Sequence, residues 1–329
     1  MQKMVVLRAV LFFYVSLSFG QKNDSLSVSN NLNKDFQEFR INSNLSYQYQ
    51  KPKFFDFVTK IPNSIVILGD QFIQKDNLIW FGSSIGATAA LVPFDQNMVD
   101  SSRDFGQEIG FNESHNYSGP LKMFPKDLNS AIYRFGNGFT AILIGGGLLT
   151  YGLKNDDYRA VQTSSEILEG MIISGFFVQA VKRTTGRESP FIAEENRNEG
   201  GKWTLFPSFK AYATNTPHYD AMPSGHLVTI MTTIVIVSEN YKEIKWIKPV
   251  SCGLIGLMCF EMTQSKVHWV SDYPLALFMG YIIGKSIVKS RINEKKELKT
   301  GHSERVKPEF NYTFSTTQNY TLAGMRIVF

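Results

Sequence analysis

Cysteine is nearly absent from this chain: 329 residues carry two, Cys252 and Cys259. Seven positions separate them, two helical turns or roughly 10 Å of rise, which is too far for a disulfide within one helix. They read as small buried hydrophobes in an apolar run and leave the redox compartment open. No zinc-finger spacing, RNA-binding sheet signature or basic stripe occurs, and the net charge of +5 is not gathered in one block. These absences argue against a nucleic-acid partner. Long apolar runs are scarce as well. A membrane-spanning helix needs about 20 predominantly apolar residues. Most candidate helices here are shorter, and mean hydropathy is only −0.13.

What is present begins with an export pattern. Lys3 and Arg8 precede a short apolar stretch over residues 9–19, and Ser18 and Gly20 supply small residues at the −3 and −1 positions of a cleavage site. This is the plan of a secretory signal peptide over residues 1–20, with an uncleaved anchor as the alternative. Residues 21–76 form a polar leader, rich in Asn, Ser and Gln up to Gln50, with little to bury. Residues 77–127 read as a first helix that stops near Pro93 and a polar loop. Residues 128–290 are the main helical body, 291–309 a charged linker, and 310–329 a β-prone tail able to form a hairpin around Thr317-Gln318-Asn319. The fold class is all-α, a bundle of about six helices with that short hairpin appended. Glu166 and Glu169 fall near the predicted start of one helix, where acidic residues suit the dipole.

Cleavage after Gly20 would leave the mature N-terminus outside the inner membrane. Counting crossings from there puts the basic residues 285–299 outside too, against the positive-inside tendency. A soluble or peripherally attached domain, exported to the periplasm or cell envelope, removes the conflict. A multi-pass inner-membrane protein is the alternative.

Three constellations carry chemistry. His268 and Asp272 stand at i and i+4, one helical turn apart, where a carboxylate can accept from one imidazole nitrogen and leave the other free as a nucleophile. Pro223-Ser224-Gly225-His226 puts a hydroxyl, a glycine N–H and an imidazole just before an apolar helix. Helix N-termini attract anions, and His226 is placed to protonate a leaving oxygen. The plain reading of those four residues is a turn and a capped helix. The run from Lys182 to Pro190, Lys-Arg-Thr-Thr-Gly-Arg-Glu-Ser-Pro, is either solvated charge after a helix or a phosphate clamp.

In order and spacing these three runs resemble the superfamily of type 2 phosphatidic acid phosphatases, bacterial class A acid phosphatases and vanadium haloperoxidases. That family has Lys, six residues, Arg-Pro; then Pro-Ser-Gly-His; then Ser-Arg, five residues, His, three residues, Asp. Here Ser189 stands where the first arginine is expected and Met262 where the second is. The resemblance implies a helical bundle of the acid phosphatase/haloperoxidase type and a phosphatase that needs no metal or other cofactor. Its catalytic residues would be His268, Asp272 and His226, and its phosphate-binding residues Lys182, Ser224 and Gly225. Arg187, Arg183 and Lys266 are the nearby cations that could replace the missing arginines, Arg187 being the one assigned to phosphate. The implied partner is a phosphorylated lipid or a small phosphomonoester, with membrane association. A catalytically impaired envelope protein of the same fold is the rival reading, motivated by the two lost arginines, and a vanadate-dependent haloperoxidase is a second. Trp203, Phe206 and Phe209 are expected to pack down the loop over the site.

Overall fold

The computed structural model of the protein describes residues 35–111, 131–132, 138–296, 309–317 and 320–328. The signal-peptide pattern, the expected start of the body near Leu128, most of the charged linker, and His115 and His302 lie outside the described residues. The chain divides into two units, 1–295 and 296–329.

The first unit opens with two antiparallel strands, β1 (Phe36–Asn42) and β2 (Leu45–Gln50), and β3 (Asn293–Lys296) pairs beside β2. Residues assigned to a featureless leader therefore form sheet: Tyr47 and Tyr49 are buried on one face, Gln48 between them is half-buried, and Ser46 is buried too. Helices α1 (Asp56–Thr59), α2 (Ile61–Phe72) and α3 (Lys75–Leu91) follow. After one turn of 3-10 helix, α4 (Asp95–Glu108) occupies the stretch expected to be loop.

The body comprises α5 (Gly138–Asn155), α6 (Tyr158–Thr185), two short helices α7 (Pro190–Asn196) and α8 (Phe209–Thr214), then α9 (Gly225–Asn240), α10 (Ile247–Gln264) and α11 (Tyr273–Arg291). Local chemistry sets the ends. Asp157 caps α6 by accepting from Ala160 N at 2.9 Å, and Gly186 ends it at φ 53°. Pro274 sits in the first turn of α11, and Lys289 and Arg291 lie in its last, matching the dipole. Leu227, Ile230 and Ile236 of α9 bury against Ile167 of α6, Met258 and Met262 of α10, and Ile283 and Ile287 of α11. The fold class is thus helical as expected. The helices beyond the expected six are α1, α2 and α4 before the body and the short α7 and α8 inside its long polar loop. The second unit holds the expected hairpin, β4 (Glu309–Thr317) paired antiparallel with β5 (Tyr320–Val328). The cysteines differ from expectation: Cys252 is exposed and Cys259 half-buried, both free.

Glu166 and Glu169 are not exposed groups at a helix start. Helix α6 begins a turn and a half earlier than expected, so both fall mid-helix and are fully buried. Arg291 NH1 donates to Glu169 Oε2 at 3.0 Å, and Arg291 Nε lies 4.0 Å from Glu166 Oε1. Gln162 and Asn240 donate to Glu166, and Ser64 to Glu169. Arg291 NH2 also lies 3.7 Å from Asp56 Oδ2, so one arginine serves three buried carboxylates. Arg291→Met is expected to lower stability by about 3–5 kcal/mol, because the acids lose their cation while staying desolvated. Urea unfolding of the two proteins measures it, and a loss below 1 kcal/mol would show that the acids are neutral in the fold.

Among the described residues, one continuous helical run, Lys75–Glu108, is long and apolar enough to cross a membrane by length and composition, and only 11% of its apolar window is buried.

Candidate active site

The three motif segments converge at one end of the bundle. Lys182 lies in the last turn of α6, Ser224 caps α9, and the segment from His268 to Asp272 joins α10 to α11. Backbone bonds tie them together: Ser224 N donates to Asp272 O at 3.3 Å, and Ala221 N to Arg187 O at 2.9 Å. Ser224 Oγ accepts from Leu227 N at 3.4 Å, the N-cap bond that starts α9. Gly225 follows, and a side chain there would come 3.8 Å from the Lys182 ammonium. The imidazoles of His226 and His268 stand edge to face with centroids 5.8 Å apart.

His268 and Asp272 meet as expected, though across a turn and a short 3-10 helix rather than along one α-helix. His268 Nδ1 is 3.5 Å from Asp272 Oδ2, within ion-pair distance but without a hydrogen bond of good geometry. Trp269 N donates to the same oxygen at 2.9 Å. Burial works against the charge on Asp272, but Arg187 and His268 outweigh it and hold this carboxyl below its ordinary range. It is therefore an anion that accepts at neutral pH.

Lys182 lies 3.4 Å from Asp220 Oδ2, so the one cation beside Gly225 already has a partly exposed acidic partner. Arg187 corrects the sequence reading. It is wholly buried, and its guanidinium is committed to protein: NH1 to Asp272 Oδ1 at 2.8 Å and Ser271 Oγ at 2.6 Å, NH2 to Asp95 Oδ2 at 2.6 Å and Gly200 O at 3.1 Å. Geometry gives it carboxylates, not phosphate. Arg183 lies over the rings of Phe209 and Tyr212, and Lys266 pairs with Glu194 at 2.8 Å, so neither takes an arginine's place beside Ser224. Met262 does occupy that place: its sulfur is 3.9 Å from Ser224 Oγ and it is fully buried. Ser189 stands at the N-cap position of α7 without a side-chain cap bond, buried, with its N–H bonded to Pro217 O at 3.0 Å. Phe206 and Phe209 depart from expectation, since both are largely exposed, while Trp203 lies over the Arg187 guanidinium. His218 is partly exposed, 3.8 Å from Glu188.

Sequence reasoning missed Asp95 and Ser271. Asp95 opens α4 in the supposed loop, 92 positions from its arginine, and no local pattern marks it. Among the described residues no group of three or more His, Cys, Asp or Glu gathers as a metal-ligand set.

Burial, reinforced by positive charge at His268 and Lys182, pushes His226 down to about 3 from an ordinary 6.5. Between those values the unfolded chain binds a proton that the folded chain refuses, so this group's contribution to stability falls as pH drops from 6.5 toward 3. Glu169, which burial raises to about 7 against the opposing pull of Ser64 and Arg291, works in the other sense between 4.5 and 7. The difference between the parent and His226→Asn isolates the histidine. Urea midpoints of the variant should fall less on acidification from pH 6.5 to 4; parallel curves would mean that His226 is not protected from protonation.

Residues 165–296 match the family model of the PAP2 superfamily. No curated protein matches. Among solved structures, the crystal structure described as the first transmembrane PAP2 type phosphatidylglycerolphosphate phosphatase, from Bacillus subtilis, aligns over 71% of this chain and 94% of its own at 11% identity, with a TM-score of 0.37. The matched segment runs from α6 to β3 and includes Lys182, Ser224, His226, His268 and Asp272. Over residues 165–296 the chain is thus similar to the PAP2 superfamily, the resemblance that its three motifs carry.

Proposed function

We propose that this protein is a phosphatase that hydrolyses a phosphomonoester or a lipid (di)phosphate through a phosphohistidine. The observation that carries the reading is the meeting of two imidazoles, a lysine and a helix N-terminus around Gly225, with a buried carboxylate behind one imidazole. Lys182, Ser224 Oγ and the Gly225 N–H hold the phosphoryl oxygens. Asp272 holds His268 through Nδ1, so that Nε2 presents its lone pair to phosphorus. The N–P bond forms as the P–O bond to the alcohol breaks, and His226 gives that oxygen its proton. Water then attacks phosphorus, yields its proton to His226, and the N–P bond breaks to release phosphate.

His226 is neutral at pH 7 without an anion beside it. A bound phosphate dianion raises an adjacent imidazole, so the proton needed by the leaving group is taken up with the substrate. Leu205, Phe206 and Phe209, exposed between α7 and α9, together with the apolar run Lys75–Glu108, support a phosphorylated lipid as substrate and membrane association, and the pattern of residues 1–20 supports export.

The second reading is a binding protein of the same fold with impaired catalysis, favoured by Met262 beside Ser224 and by the Lys182–Asp220 pair. Phosphate release from a generic phosphomonoester and from phosphatidic acid by the purified full chain decides between them. Release supports the phosphatase. Binding of phosphate or lipid phosphate without release supports the second reading.

A further inference from the structure

Arg187 and Asp95 complete a buried chain that ends on His268. Asp95 Oδ1 accepts from Ser271 N at 3.0 Å, and its other oxygen accepts from both the Ser271 hydroxyl and Arg187 NH2. The Ser271 hydroxyl in turn accepts from Arg187 NH1, which also reaches Asp272 Oδ1. All four side chains are wholly inaccessible. Asp272 Oδ1 is thus fixed by arginine and Oδ2 faces both Trp269 N and His268 Nδ1.

A lone arginine beside Asp272 would hold the carboxylate in place but draw its negative charge away from the imidazole. Asp95 supplies the countercharge. We propose that Arg187 and Asp95 are positioning residues for His268: the arginine aims Asp272, and Asp95 neutralises the arginine so that Asp272 stays a strong acceptor. This rests on His268 and Asp272 being the working pair of the proposed phosphatase. Asp95 comes from α4, outside the segment that matches the family model, so the site draws on a helix that the motifs do not include.

The two substitutions act with opposite sign. Asp95→Asn keeps the shape, leaves one acceptor oxygen for the three donors and adds one net positive charge to the buried set; Arg187→Met removes one. Histidine-labelled full-length protein, titrated by NMR, reads the His268 midpoint directly, and its loss in His268→Ala assigns the signal. Asp95→Asn should move that midpoint down by about one pH unit, the order of magnitude of one added buried charge at an effective dielectric near 20. Arg187→Met should move it up. Ser271→Ala, which changes no charge, should leave the midpoint within about 0.3 unit and controls for repacking. If Arg187→Met does not fold, the Asp95→Asn shift alone decides. No shift at His268 in folded Asp95→Asn, or a shift equal to that of Ser271→Ala, overturns the proposal. Because the readout needs no turnover, a chain without phosphatase activity would sink the functional reading and still leave this one decided. Where turnover is present, Asp95→Asn should lower kcat about tenfold with KM nearly unchanged, since no substrate contact is lost.

Discussion

His268→Ala is expected to lower phosphate release by at least about 10³-fold, equivalent to roughly 4 kcal/mol of transition-state stabilisation. In the proposed mechanism this imidazole forms the bond to phosphorus, and no neighbouring group can replace it. The other imidazole, His226, lies 5.8 Å away between ring centres, while Asp272 lies against His268. The substitution should cost little in folding. His268 sits on the turn between α10 and α11 and is outside the apolar core, and its loss leaves Asp272 still holding Trp269 N and Arg187. Phosphate binding should persist, because Lys182, Ser224 and the N-terminus of α9 are untouched. Activity, phosphate affinity and the urea midpoint of the purified variant test all three statements. Residual release within tenfold of the parent, from folded protein, would mean that the nucleophile is not His268.

Much of this site could be read along the chain because its parts are local. Pro223-Ser224-Gly225-His226 is a capped helix start, and the cap bond from Leu227 N to Ser224 Oγ is its direct consequence. His268 and Asp272 are four positions apart, so any turn-like path brings them together. The helices with apolar residues on every face, α9 and α11, were legible for the same reason. What failed was long-range. Arg187 looked like a phosphate ligand because its run of neighbours pointed that way, yet its orientation is decided by Asp95, on a helix that the polar composition of residues 95–108 concealed. Glu166 and Glu169 looked like dipole partners because the onset of α6 was placed too late, and Arg291, more than 120 positions on, could not be foreseen as their cation. The strands β1 and β2 were hidden in polar sequence, where only Tyr47 and Tyr49 face the core.

Met262→Arg is expected to tighten inorganic phosphate binding by about 10- to 100-fold. A charge-assisted hydrogen bond contributes about 1.5–3 kcal/mol, and each 1.4 kcal/mol is a factor of ten. Position 262 is the right place for the test because the Met262 sulfur already lies 3.9 Å from Ser224 Oγ, the hydroxyl that would hold the same phosphate. The site as it stands is poor in free positive charge, with Lys182 paired to Asp220 and Arg187 enclosed by carboxylates. Met262 is also fully buried, so a guanidinium there without phosphate is desolvated. The variant should therefore unfold at lower urea concentration than the parent in phosphate-free buffer, and gain more than the parent when phosphate is added, because ligand binding and folding are linked. Adding Ser189→Arg should extend the gain into turnover, if its longer side chain reaches past the α7 cap to the same anion. Titrations of both variants with phosphate, read by calorimetry and by urea midpoint, separate the two effects. An equal phosphate response in parent and variants, all folded, would show that the anion binds away from Ser224, and that the missing arginines are not what limits this site.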